Sequence, residues 1–370
     1  MNNSYKKIPA WSYYADLDEY RSEYLEAIEE VFSSGRLLFG NQLTKFEQEF
    51  SSFIGTQYGI GCDNATNGLF LALKSLDIGI GDEVITVANT AIPTVSAICQ
   101  SGATPVFCDV GEDGLIDLST FDISRFSSIK AIIPVHLFGF SCNMQQVVNF
   151  AEENNLFIIE DCSQAHGTTY ENSYVGSFGC LSIFSFYPTK PLGGFGDAGM
   201  ILTNSDHLNA RLRRLRFYGI DSDYYAEELG YNSRMDEIHA AILRKKLPRL
   251  LYNIKHRGKV ADIYKSSIMS DELVALECLP NSTPSHYLIP FVYKGNRDKF
   301  RDRLEEVGIF TNVSYKHPIH LMKGFAHLGY EAGSLPMSEY LCDHIISFPL
   351  FDRISSNDIH YTSGLVNNLA

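Results

Sequence analysis

The sequence predicts an α/β protein with a large, mostly parallel-sheet domain over residues 1–252 and a smaller α+β domain over 253–370. Three observations carry this. Short apolar runs alternate with amphipathic helical stretches through the first two thirds of the chain, the alternation expected of a sheet covered by helices on both faces. After about Tyr252 the texture changes to a helix followed by sparse short strands. Finally, 370 residues exceed what one core usually serves, taking roughly 150 residues per domain as a guide.

The elements follow in order. Over 16–35 the residues Tyr20, Tyr24, Leu25, Ile28, Val31 and Phe32 recur at three- and four-residue steps, which predicts one amphipathic helix burying that face. Leu43, Phe46, Phe50 and Phe53 form a second such face. Strands are predicted at 84–87, 105–110, 130–137, 157–161, 181–186 and 200–203. A strong helix starts at Asp236 and should kink or end at Pro248. In the smaller domain, strands are expected near 285–293 and 310–315, and helices around 337–346 and 356–369. No linker rich in Pro, Gly or Ser separates the two parts, so they should pack closely.

Composition excludes several functions. The net charge of −14 repels nucleic acid and acidic membranes, but a phosphorylated small molecule can still bind where charge is compensated locally. No apolar run reaches the ~18–20 residues of a membrane span, and the N-terminus lacks a secretory pattern, so a cytoplasmic protein is expected. Eight cysteines without CxxC spacing read as free thiols in a reducing compartment, with no metal site.

Candidate chemistry lies in three places. Residues 59–68 read as a loop feeding a helix that starts near Ala65 and Thr66, where free N–H groups can hold a phosphate; alone, the same pattern suits an ordinary capped helix. An apolar strand ends at Asp161, with Gln164 and His166 close behind, at the edge where open α/β sheets bind ligands. A third strand runs through Ser185, Phe186 and Tyr187 to Lys190 and a glycine-rich segment. A lysine in such apolar surroundings is unusual, and desolvation makes a lysine amine nucleophilic, as Schiff-base chemistry requires. The GxGxxG pattern at 194–199 is followed by another strand and not by a helix, so a dinucleotide site is rejected.

Four motifs, NATNG at 64–68, EDCSQAHG at 160–167, FSFYPTK at 184–190 and YNSRMDEIHAAIL at 231–243, together resemble the DegT/DnrJ/StrS family. These are pyridoxal-phosphate-dependent nucleotide-sugar aminotransferases of the type I transferase fold. The resemblance implies that Lys190 carries the cofactor and shuttles a proton, that Asp161 pairs with the pyridinium nitrogen, and that Gln164 bonds the 3-oxygen. It further implies that Ser185, Ala65 and Thr66 hold the phosphate, and that Asn232 reaches it from the second chain of a homodimer. Tyr187, His317, His320, Arg36 and Arg234 are candidates for the sugar nucleotide.

Two departures stand out: Ala65 where the family usually has glycine, and Ala91 where many relatives have an aromatic stacked on the cofactor. The VANTAIPTVSAI form around Ala91 resembles the branch acting on dTDP-linked 3-keto-6-deoxyhexoses. The implied reaction is amino transfer from L-glutamate to C3 of such a sugar, for a surface polysaccharide such as an O-antigen of lipopolysaccharide. Amination at C4, or a sensor without chemistry, are the alternatives. A dehydratase of the same scaffold would have histidine at 190.

Overall fold

The computed structural model describes residues 5–370. Its centre is a seven-stranded sheet of β1 (Tyr58–Cys62), β2 (Glu83–Val87), β3 (Thr104–Cys108), β4 (Ile129–Ile132), β5 (Phe157–Asp161), β6 (Leu181–Ser185) and β7 (Gly199–Thr203). The spatial order is β1-β7-β6-β5-β4-β2-β3. Only β7 runs against its neighbours, antiparallel to β1 and to β6. The other pairs are parallel, so both faces need cover and the strands read as apolar runs.

One face carries Ile60, Leu69, Leu73, Ile98, Ile159 and Ile183 in a core under α3 (Ala65–Ser75), α4 (Ile92–Ser101) and α6 (Asp206–Leu215), which come after α1 (Tyr14–Ser34) and α2 (Asn41–Ile54) in the chain. The other face packs Phe46 and Phe50 of α2 with Phe184, Phe186 and α5 (Met144–Glu153). A third cluster gathers Tyr264, Phe291, Phe300 and Phe348 around a small antiparallel sheet of β8 (Leu273–Ala275), β9 (Pro290–Tyr293) and β10 (Ile345–Ser347).

Several expectations change for identifiable reasons. Residues 59–62 are a strand and not a loop. Its glycines hide the pattern because α2 presses on it: a Cβ at Gly59 would lie 2.6 Å from the Glu47 carbonyl oxygen, and one at Gly61 2.7 Å from Leu43 Cδ1. Helix α1 forms, but it buries Ala27 and Val31 against Ala241 and Tyr24 beside Phe195, leaving Leu25 and Phe32 exposed. Small residues let α1 approach the distant helix that carries Ala241 on a face rotated from the apolar one. The strand expected over 130–137 stops at Ile132. Pro134 has no N–H to continue the ladder, and the chain turns at Phe138 with φ 61°. No strand forms over 310–315, where only Asn312 bridges to Ser347.

Pro248 does end the helix begun at Asp236. α7 (Glu237–Lys246) stops, a 3₁₀ turn spans Leu247–Arg249, and α8 (Leu250–Ser267) continues. The break drawn at 252/253 therefore falls inside α8. The chain after it holds α9 (Arg297–Glu306), α10 (Pro336–His344) and α11 (Ser356–Leu369). Two segments cross between the parts: Ile8 packs into the C-terminal cluster, while Ile319 and Leu335 pack on Ala88, Val95 and Phe107 beside the large sheet.

Candidate active site

A cavity of about 270 Å³ opens at the carboxyl ends of β5 and β6, between the first turns of α3 and α4. Its wall includes Ala65, Thr66, Asp161, Gln164, Ser185, Tyr187 and Lys190. Residues scattered over 125 positions of sequence meet there because strand ends and helix starts share one edge of a parallel sheet.

The anion end is built by α3. Asn64 caps the helix by accepting the Asn67 N–H, leaving the Ala65 and Thr66 N–H groups without a partner among the described residues. Gly199 lets the helix start there. A Cβ on it would stand 2.7 Å from the Asn64 carbonyl carbon and 2.9 Å from the Ala65 nitrogen. Ser185 ends β6 beside these donors.

At the other end, Asp161 accepts hydrogen bonds on both oxygens, from Thr94 Oγ1 at 2.8 Å and from the Ser163 N–H at 3.1 Å. Gln164 Oε1 accepts the Phe138 N–H at 2.8 Å, and its Nε2 donates to the Tyr315 hydroxyl. One Nε2 hydrogen remains for an oxygen in the cavity. Burial pushes the Tyr315 phenol above its usual range. Lys190 Nζ lies 4.5 Å from the centre of the Tyr287 ring, whose hydroxyl is 3.0 Å from Thr189 Oγ1.

His166 sits behind this wall, fully buried among Phe50, Phe184 and Phe186. Burial, then the positive charge of Lys190, depress its pKa to about 3. A second buried group joins His136, Glu160 and Cys162. The His136 Nδ1 accepts the Cys142 N–H, so Nε2 carries the proton and donates to Glu160 at 3.2 Å. Glu160 also accepts the N–H groups of Gly176, Phe178 and Gly179. The imidazole and the carboxylate are thereby engaged with each other and with backbone N–H groups, and they tie β5 to the loops around it.

The remaining sequence candidates lie elsewhere. Asn232, Arg36 and His317 are exposed, and Arg234 stacks near Phe217 and Tyr218; none lines the cavity. His320 corrects its expectation. It is buried against Phe107 and Tyr330 and bonded to Glu339 at 3.1 Å, which makes it a packing residue. Thr94, Tyr287 and Tyr315 are not among the site residues that the sequence marks, although Thr94 lies in the VANTAIPTVSAI stretch and Tyr315 stands two positions before His317.

The sequence and the fold are matched by known proteins. A family model described as the DegT/DnrJ/EryC1/StrS aminotransferase family matches residues 18–366. A dTDP-3-amino-3,4,6-trideoxy-alpha-D-glucose transaminase of Micromonospora megalomicea subsp. nigra is 41% identical over 351 residues, 93% of this chain and 94% of its own. A dTDP-3-amino-3,6-dideoxy-alpha-D-galactopyranose transaminase of Aneurinibacillus thermoaerophilus is 36% identical, covering 94% and 95%. The crystal structure of S. venezuelae DesV in complex with a ketimine intermediate superposes with a TM-score of 0.95 at 34% identity, covering 98% of both chains.

Fold and relatives together define a pyridoxal-phosphate-dependent sugar aminotransferase. The chain belongs to the DegT/DnrJ/EryC1/StrS aminotransferase family. The cavity fits that cofactor: unpartnered helix amides and a hydroxyl at one end suit a phosphate, a carboxylate at the other suits a protonated ring nitrogen, and an amine stands on the same wall.

Proposed function

We propose that the enzyme moves an amino group from L-glutamate to C3 of a dTDP-linked 3-keto-6-deoxyhexose, in the synthesis of an amino sugar of a surface polysaccharide. The observation that carries this reading is the meeting of Lys190, Asp161, Ser185 and the α3 N-terminus on one cavity wall.

When bound, pyridoxal phosphate supplies an electrophilic aldehyde carbon and a ring that withdraws electrons from the carbon losing its proton. Lys190 would hold the cofactor covalently, and its amine, when free, would act as the base and acid that move a proton between the donor carbon and the cofactor's aldehyde-derived carbon on the other side of the shared nitrogen. Asp161 holds the proton on the ring nitrogen. Gln164 offers its remaining N–H to the 3-oxygen. The Ala65 and Thr66 amides and the Ser185 hydroxyl bind the phosphate, so local donors outweigh the net charge of −14.

Asn232 completes the phosphate site from a second copy of the chain, a reading supported by its exposure outside its own cavity. Tyr187, 51% exposed on the wall, faces the sugar. Arg36, Arg234 and His317 belong to the mouth that two copies would form together. Attack at C3 is supported by Ala91, a methyl on the wall that leaves room above the ring, and by relatives named for 3-amino products. The eight free thiols favour the cytoplasm.

The test offers dTDP-3-keto- and dTDP-4-keto-6-deoxyhexoses with glutamate and identifies the product by NMR. Amination at C4 alone refutes the C3 assignment. Lys190→Ala is expected to abolish both turnover and the visible absorbance of the bound cofactor, and normal turnover by it overturns the whole reading.

A further inference from the structure

The loop between β2 and α4 contributes more to the cavity than the small side chain of Ala91. Thr90 and Thr94 are 1% exposed, and their hydroxyls stand 3.4 Å apart. Thr94 occupies the third position of α4, and a threonine deeper in a helix commonly bonds back to the preceding turn. Here it points to Asp161 Oδ2 at 2.8 Å instead, across 67 residues of sequence. Since the carboxylate is an acceptor, Thr94 donates to it, which leaves the Thr94 oxygen free to accept from Thr90. The two hydroxyls then point the same way, and each polarises the next.

Asp161 Oδ1 is tied to the Ser163 N–H on its own loop. With each oxygen fixed by one donor, the carboxylate cannot rotate about its last bond. Asp161 lines the cavity, and each of its oxygens keeps a lone pair for a further donor. The start of α4 adds the positive end of its dipole near the same carboxylate.

We propose that Thr94 is a positioning residue for Asp161: its hydroxyl, backed by Thr90, sets the plane in which the carboxylate meets a protonated ring nitrogen. The inference rests on Asp161 being the partner of that nitrogen. It assigns to the loop that lacks an aromatic a second task, holding the cofactor's far end through Asp161.

Thr94→Val keeps the shape and removes the donor, while Thr94→Ser keeps the donor. Thr94→Val is expected to weaken equilibrium binding of pyridoxal phosphate to the full chain by about tenfold and to lower kcat by a similar factor, with KM for glutamate unchanged. Thr94→Ser is expected to restore both to within about twofold. A merely structural threonine would lower the melting temperature in both variants without this split. The decisive arm adds Thr94→Val to Asp161→Asn and measures cofactor binding. No further loss in the double variant supports the inference, whereas an undiminished tenfold loss, or wild-type binding by Thr94→Val alone, overturns it. Should Thr94→Val not fold, Thr90→Val, which removes only the backing hydroxyl, must weaken binding measurably, and wild-type binding by it then overturns the inference. The parent reading fails separately, if Asp161→Asn alone binds cofactor and turns over normally.

Discussion

At the scale of single residues, His166 couples the site to acidity. Its folded pKa of about 3 lies below the ordinary value of 6.5, because burial and Lys190 both oppose a charge there. The unfolded chain therefore takes up a proton that the folded chain refuses. The associated stability is complete above pH 6.5 and is lost as pH falls from 6.5 towards 3, at up to about 1.4 kcal/mol per pH unit. His286, depressed by burial to about 4, adds a second proton over pH 6.5 to 4. Urea unfolding measured at pH 5, 6 and 7 should show this slope, and His166→Phe, which suits the surrounding phenylalanines, should flatten it by about one proton. An unchanged slope would mean that the folded protein already carries the charge.

The same scale shows what the sequence makes legible. Lys190, Asp161, Ser185, Gln164, Ala65, Thr66 and Tyr187 each sit at a strand end or helix start that local pattern marks, and all reach the cavity wall. Tyr287 carries no local signal, and Thr94 and Tyr315 stand near marked residues without showing their own roles, because the partners of all three lie 67 to 151 residues away. His320 misleads for the opposite reason: it stands in a suggestive segment, but Glu339 and two aromatic rings already use it.

Among elements, α2 shows how distant sequence determines a boundary. Its first turn has no side-chain cap of its own, since Gly40 precedes it. Glu237, 2% exposed at the start of α7, accepts the N–H groups of Gly40, Gln42 and Leu43 at 2.8–2.9 Å. Its carboxylate satisfies what a local serine or aspartate would otherwise serve, with the favourable sign for a helix N-terminus. Glu237→Gln turns an NH₂ towards one of those donors and is expected to cost about 2 kcal/mol, read as a lower urea midpoint with an unchanged m-value. No reading of residues 35–45 alone could reveal this cap. The hydrophobic period gave the existence of α1 and α2, while the buried face of α1 was decided by the small side chains of Ala27 and Ala241.

For the whole molecule, the two-part reading of the chain meets crossing segments. Ile8 belongs with the C-terminal cluster and Ile319 with the large sheet, so neither part is continuous in sequence. A site shared between two copies has its own signature. If the proposed sharing of Asn232 between two copies holds, Lys190→Ala and Asn232→Asp chains, each impaired alone, should regain activity when unfolded and refolded together, because a mixed dimer would hold one intact site. Random pairing gives about a quarter of the wild-type rate. Absence of any recovery would place Asn232 outside the partner's cavity.

The reversed direction of β7 has a consequence for how the site comes into being. Because Ser185 pairs with Gly199, the segment carrying Lys190 leaves and re-enters the sheet at one place, as a hairpin does. Its closure is a short-range event, with little loop entropy to overcome. The Asp161–Thr94 contact instead spans 67 residues and a crossover, and it must await assembly of the parallel sheet. The Lys190 segment is thus expected to close early in folding and the Asp161–Thr94 contact late. A refolding chain is expected to bury the Lys190 segment before it gains affinity for the cofactor.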